Sequence, residues 1–162
     1  AVVAAAADSG LRSLAWALAG ALRGHLGRHW HRLDYLAVSR AGLDAAVADG
    51  EVRAQAMLSQ SLAHVHHSMG RHHEATAYLE RALALCERSA WPDVESRVHD
   101  NLGIVYAETG FLNRAAEHFL RGLELSRQTF APLYVGGPLT NLGTLYRHQG
   151  RLALAWRSAQ IS

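Results

Sequence analysis

The sequence predicts an all-α protein, a right-handed solenoid of about four antiparallel helix pairs. Three observations carry this. The motif Asn101-Leu102-Gly103-x-x-Tyr106-x-x-x-Gly110 returns forty residues later as Asn141-Leu142-Gly143-x-x-Tyr146-x-x-x-Gly150. The same register placed forty residues earlier falls on Ser61-Leu62-Ala63-x-x-His66-x-x-x-Gly70. No stretch sustains the period-two alternation of a half-buried strand. Self-similarity at a fixed interval marks stacked supersecondary units. Such arrays work through the surfaces they present.

Taken in order, residues 1–50 hold a divergent first pair, with helical patterns from Leu11 to Leu26 and from Trp30 to Val47. Gly27 lies 43 residues before Gly70, so the forty-residue step is not visible there. Ala1 to Ala7 is apolar but has no basic start, and reads as the edge of a longer polypeptide rather than a signal peptide. Residues 51–90 form the second unit, with one helix from about Val52 to Met69 and another from about His72 to Arg88. Gly70 separates the two, as a glycine just past a last helical turn commonly does.

In the third unit, residues 91–130, Pro92 suits the first turn of a helix. Val98, Leu102, Val105 and Tyr106 recur at three and four and form its packing stripe. After Gly110, a second stripe runs through Ala115, Ala116, Phe119, Leu120, Leu123 and Leu125. The fourth unit, residues 131–162, opens at Pro132 with a helix expected to reach Gln149. Gly136-Gly137-Pro138 predicts a kink or break within it, because proline removes a backbone donor and glycine lowers helical propensity. A second helix begins at Arg151 and stops short at Ser162. Leu152, Leu154, Ala155, Trp156 and Ile161 would then lack a covering helix, which predicts a homodimer formed through this pair as an effect of truncation.

Composition narrows the function classes. The apolar share is 49%, ordinary for a globular protein, and no apolar run approaches the roughly 20 residues that span a bilayer. Cys86 is the only cysteine, which leaves no internal disulfide and fits a reducing compartment. All 16 basic residues are arginine, at a formal net charge of +2, and they alternate with acidic residues along the chain. Nucleic-acid binding would need the basic residues gathered on one face, so none is expected. The absence of lysine beside heavy use of Ala, Leu and Gly suggests a GC-rich bacterial genome.

Leu102, Gly103, Tyr106, Gly110, Ala115 and Phe119 resemble the tetratricopeptide repeat signature, in which small residues let helices approach and large ones fill the gaps. Leu62, Ala63, Gly70, Ala75, Leu79 and Ala82 repeat it, as do Leu142, Gly143, Tyr146, Gly150 and Ala155. The resemblance covers Gln55 to Ser162, at a step longer than the usual 34 residues of that family. The long form, with Asn-Leu-Gly and an arginine-rich surface, resembles arrays at the C-terminal end of actinobacterial transcriptional regulators. Those include the antibiotic-regulatory type and others with a nucleotide-binding switch domain. The resemblance implies a cytoplasmic protein-protein interaction module, the regulatory or sensory part of a larger regulator. Neither a phosphate-binding loop nor a DNA-binding helix pair occurs in this sequence.

In arrays that resemble this one, the first helix of each pair lines the concave side. With Val98, Leu102 and Tyr106 turned to packing, the groove face of the third unit holds Arg97, Asp100, Asn101, Ile104 and Glu108. The second unit offers Met57, Gln60, His64 and His67, with Ser68 beside them. The fourth offers Thr140, Thr144, Arg147 and His148. This mixed polar strip suits an extended peptide, a helix or another domain of the same chain. Asn101 and Asn141 could serve a clamp for a peptide C-terminus, but Asp100 stands where that clamp wants a cation.

The eleven histidines raise an alternative, a domain sensing a metal or small ligand through a histidine-rich inner face. His64 and His67 share a helix face, and His25 and His29 are four apart. Neither pair has the third protein ligand that a zinc site needs, so no metal or cofactor is expected. His66, in the place of Tyr106 and Tyr146, is expected to fill an interhelix gap, and His72 and His73 to face water. No nucleophile elbow and no His-Glu-x-x-His motif is present, which argues against an enzyme.

Overall fold

The computed structural model describes residues 2–28, 32–129, 136–148, 150 and 154. It is all-α, with eight helices and no strand among the described residues. The helices are α1 (Val2–Asp8), α2 (Arg12–Arg28), α3 (Arg32–Ala48), α4 (Val52–Ser68), α5 (His72–Ser89), α6 (Pro92–Glu108), α7 (Leu112–Gln128) and α8 (Gly136–His148). Helices α2, α4 and α6 begin at residues 12, 52 and 92, and α3, α5 and α7 at 32, 72 and 112. The forty-residue step therefore extends through α2 and α3, where the sequence motif had faded.

The turns explain the constancy. Gly70 and Gly110 close α4 and α6 at φ +73° and +85°, in a left-handed conformation that costs glycine little. At each, two backbone bonds run back into the last turn: Arg71 N to His66 O at 2.9 Å with Gly70 N to His67 O at 2.9 Å, and Phe111 N to Tyr106 O at 2.8 Å with Gly110 N to Ala107 O at 3.2 Å. This paired arrangement satisfies carbonyls that a helix end would leave open. A second series ends the other helices of each pair. Gly10, Gly50 and Ala90 follow α1, α3 and α5 at forty-residue intervals, all with positive φ. Ala90, at φ +53°, does without glycine.

The chain divides into two compact units, residues 1–89 and 90–162. In the first, Val3, Ala15, Ala19, Leu43, Ala45, Ala46, Ala54, Leu58 and Leu62 form one core. Small residues let α2 and α3 meet: a Cβ added at Gly42 would overlap that of Ala19. Trp16 Nε1 and Ser13 Oγ both donate to Asp49 Oδ2, at 2.9 and 3.1 Å. On α4 the stripe Ala54, Leu58, Leu62 is buried. Its counterpart on α2 leaves Leu14 and Leu22 substantially exposed.

In the second unit Ala115, Phe119, Leu123, Leu139, Leu142 and Leu145 share a core, with Ile104 and Tyr106 packed against it. Gly103 is required by Phe119: a Cβ at that position would sink into the ring, 2.9 Å from its Cζ. At the same register forty residues earlier stand Ala63 and Leu79, both buried. Volume has moved from one helix to the other. Ser96 Oγ donates to Gly122 O at 2.8 Å and lies 2.6 Å from Ser126 Oγ, a buried polar tie between α6 and α7.

An aromatic pair shows the same exchange. His66 stacks on Tyr78 at 5.4 Å between centroids, and Tyr106 on His118 at 5.3 Å. The four residues occupy equivalent positions with the two side chains traded. His66 thus fills the interhelix gap assigned to it.

Several sequence expectations change. Leu120 is half exposed and leaves the α7 stripe, because Leu123 and Phe119 already occupy the buried arc. His72 does not simply face water; its ring sits edge-on to His67 at 5.7 Å. The described part of α8 is Gly136–His148, so the kink or break expected around Gly136-Gly137-Pro138 concerns a helix whose preceding residues lie outside the described ones. The expected stretch from Pro132 lies outside the described residues, as do His29, Leu152, Ala155, Trp156 and Ile161, and with them the expected C-terminal contact. Among the described residues no helix is long and apolar enough to cross a membrane.

Candidate interaction groove

Three helices of the second unit border an open cavity of about 430 Å³. Helix α6 supplies Ile104, Ala107 and Glu108; α7 supplies Leu112 and Phe119; α8 supplies Asn141, Thr144 and Leu145. Ile104 and Glu108 are four apart on α6, as Asn141 and Leu145 are on α8, so each helix shows one face to the space. Among the described residues its wall is largely aliphatic and aromatic, with Glu108, Asn141 and Thr144 as the polar members. An apolar body with a few convergent polar groups is the usual form of a site for a side chain or small ligand.

One bond fixes the polar side. Asn141 Nδ2 donates to Asp100 Oδ1 at 2.8 Å, tying α8 to α6. Burial pushes the Asp100 carboxyl above its ordinary range, and the Asn141 bond opposes that shift. Asn141 is thereby oriented by Asp100, and the role of clamping a peptide C-terminus does not suit it.

The structure brings Ile104, Glu108 and Thr144 together around this cavity, with Asp100 behind Asn141. Arg97 and Asn101 are half-buried on α6, and Thr140 and Arg147 exposed on α8; none of these four lines it. The side chain of His148 lies outside the described part. In the first unit Met57 and His67 are half-buried and His64 is exposed. Gln60 is buried, which corrects its placement on an open face. His64 lies 6.0 Å from the buried ring of Tyr35, and both burial and nearby His67 hold its pKa down.

Sequence reasoning missed Ala107, Leu112, Phe119 and Leu145 as lining residues. A signal existed in the register. Eighty residues before Ala115 and Thr144 stand Tyr35 and His64, two rings in the places of two small side chains. Tyr35 is buried there, bonded to Ser61, and burial raises its phenol pKa. Removing that bulk from the later copy leaves room.

A second cluster joins α6 and α7. His99 Nδ1 lies 2.9 Å from His118 Nδ1, so one ring carries the hydrogen and the other accepts it. Glu95 Oε1 is 3.9 Å from His99 Nε2 and 3.8 Å from Arg121 Nη2. Burial, then His118, then Arg121 hold the His99 pKa down at about 4, outweighing the Glu95 carboxylate. His99 is neutral at pH 7.

Comparison with known proteins agrees with this geometry. Residues 53–128 match the tetratricopeptide repeat family. The crystal structure of BtubC (BKLC) from P. vanneervenii aligns at a TM-score of 0.80, covering 92% of this chain and 62% of its own, at 18% identity. This chain thus spans less than two thirds of the length of BtubC. A kinesin-light-chain-like protein of Podosopora anserina, with nearly identical TPR-like repeats, aligns at 0.54 over 98% of this chain and 88% of its own, at 15% identity. At such identities the likeness is one of fold. No curated protein matches in sequence. Residues 53–128 thus match the tetratricopeptide repeat family, within a chain whose fold is similar to those of both solved structures.

Proposed function

We propose that the chain is a protein-protein interaction module whose second unit binds a peptide or another domain through the α6–α7–α8 cavity. The observation that carries this is the convergence of Ile104, Glu108 and Thr144 on one largely apolar cavity of about 430 Å³. Repeats of this type present surfaces, which supports a binding role without a reaction centre. The finer reading follows the resemblance: a regulatory or sensory part of an actinobacterial transcriptional regulator, working in the cytoplasm, with repeat units bounded near residues 50, 90 and 130.

Selection from a random peptide library displayed on phage tests the binding role. Enriched peptides should lose binding to Ala107→Trp, which fills the cavity from an α6 position on its wall. Peptides that bind wild type and Ala107→Trp equally would place recognition elsewhere.

A second reading rests on His67 and His72, whose rings meet across α4 and α5 at 5.7 Å. It makes the first unit a metal-sensing surface. Zinc titration by calorimetry should then show micromolar binding that disappears in His67→Ala; heat unchanged by that substitution removes the reading.

A further inference from the structure

The first unit carries a ring where the second carries the α6–α7–α8 cavity. Tyr35 is buried there, its hydroxyl bonded to Ser61 and its ring 6.0 Å from that of His64. Eighty residues later Ala115 stands for Tyr35, Asn141 for Ser61 and Thr144 for His64. The lost ring is not simply restored by a neighbour. Phe119 replaces Ser39 one turn along α7, but its ring lies against Gly103 on α6, where the first unit has Arg23. Among the described residues nothing takes the place of the phenol beside Asn141 and Thr144, and both of these line the cavity.

Polarity keeps the same correspondence. Ser61 Oγ donates to Met57 O at 3.2 Å, so it meets the Tyr35 hydroxyl as an acceptor. Asn141 donates its amide nitrogen to Asp100, which leaves Oδ1, again an acceptor, at the equivalent position. Both copies therefore present an acceptor where a phenol hydroxyl can donate. Glu108 has an interaction of its own and is not needed for this contact. Size fits as well. A dry cavity of roughly 150 Å³ takes one benzene ring, so about 430 Å³ leaves space for a second ring or an alkyl group.

We propose that this cavity binds a free phenolic compound of one or two rings, its hydroxyl donated to Asn141 Oδ1 and its ring against Ile104, Leu112 and Phe119. The ligand completes the second unit from outside as Tyr35 completes the first from within. This goes beyond the peptide-binding role and adds a small-molecule site to the array. The probes are 2-naphthol, its methyl ether 2-methoxynaphthalene, and a blocked pentapeptide with tyrosine between glycines. Binding to the full chain is read by calorimetry and by backbone amide chemical shifts.

2-Naphthol should bind, with amide shifts centred on Ile104, Leu112 and Thr144. The methyl ether, which cannot donate, should bind about fivefold more weakly, the scale of one neutral hydrogen bond. Ala107→Trp and Thr144→Phe fill the space from α6 and from α8, and each should abolish binding. Circular dichroism checks that both fold; where one does not, the other variant, the shift map and the methyl ether decide. No binding of 2-naphthol, shifts centred outside α6 to α8, an ether that binds equally well, or binding unchanged in the folded variants overturns the proposal. A tyrosine peptide that binds and is lost in Ala107→Trp, while 2-naphthol does not bind, overturns the free-ligand site and leaves the interaction role standing. 2-Naphthol lost in Ala107→Trp, with no peptide sensitive to that substitution, upholds the ligand site and removes the interaction role.

Discussion

Replacing His99 by glutamine should make the protein less sensitive to mild acid, and the size of the effect follows from the α6–α7 cluster. His99 is buried, shares a hydrogen with His118 at 2.9 Å, and has its pKa held down at about 4 against an ordinary 6.5. In the unfolded chain it returns to the ordinary value. Between those two values the unfolded state binds a proton that the folded state refuses, so stability falls as pH drops from above 6.5 toward 4. The full difference corresponds to about 3 kcal/mol, and near pH 5 the loss should already be about 2 kcal/mol. His64 and His66, also held below their ordinary values, push the same way, while the raised Asp100 opposes. Comparing the pH profiles of wild type and His99→Gln isolates the one contribution. Urea unfolding followed by circular dichroism near pH 7.5 and pH 5 measures it, and the NMR titration of the His99 ring reports its pKa directly. A ring titrating near 6.5, or a pH dependence unchanged in His99→Gln, would refute the reasoning.

The remaining predictions concern packing and turns. Gly103→Ala should cost about 1–3 kcal/mol by overpacking against Phe119, and Phe119→Leu should recover part of that loss in a double-mutant cycle read by thermal unfolding. Ser96→Ala leaves Ser126 Oγ still bonded to Gly122 O at 2.9 Å, so the loss should stay near 1 kcal/mol in urea unfolding; several kcal/mol would mean that the serine pair acts as a unit. Ala90→Gly relieves a left-handed backbone, and should raise stability by up to about 1 kcal/mol, with an unchanged or lower midpoint counting against strain at that turn.

How much could be read from residues alone depended on whether the physical cause was local. Helix stops at Gly70 and Gly110 and the start at Pro92 are written in single side chains, so they were legible. The packing stripe Val98, Leu102, Val105 was equally plain, since helical periodicity reports burial directly. Helices α2 and α3 keep the same step without the motif, because helix length and turn geometry fix the interval while side-chain identity is free to drift. The cavity was half legible. Ile104, Glu108 and Thr144 follow from face assignment, whereas Ala107, Phe119 and Leu145 enter because a space is defined by what three helices fail to fill. The Asp100–Asn141 bond joins residues 41 apart, and no single-helix reasoning could orient that amide. The His99–His118 contact was out of reach for the same reason.

The traded rings bear on how such repeats drift and how they should be redesigned. At the two stacked sites one copy reads His then Tyr and the next reads Tyr then His. A copy passing from one state to the other by single substitutions must cross Tyr–Tyr or His–His, either a second bulky phenol or a second imidazole in the same slot. In these two copies each ring is matched to the partner it has, so a side chain that fits one copy should fit the other less well. A designer who wrote tyrosine at both sites would obtain a pairing that neither of these two copies contains. Epistasis of this kind sets the grain size at which the array can be recombined: whole helix pairs should exchange freely, single helices should not.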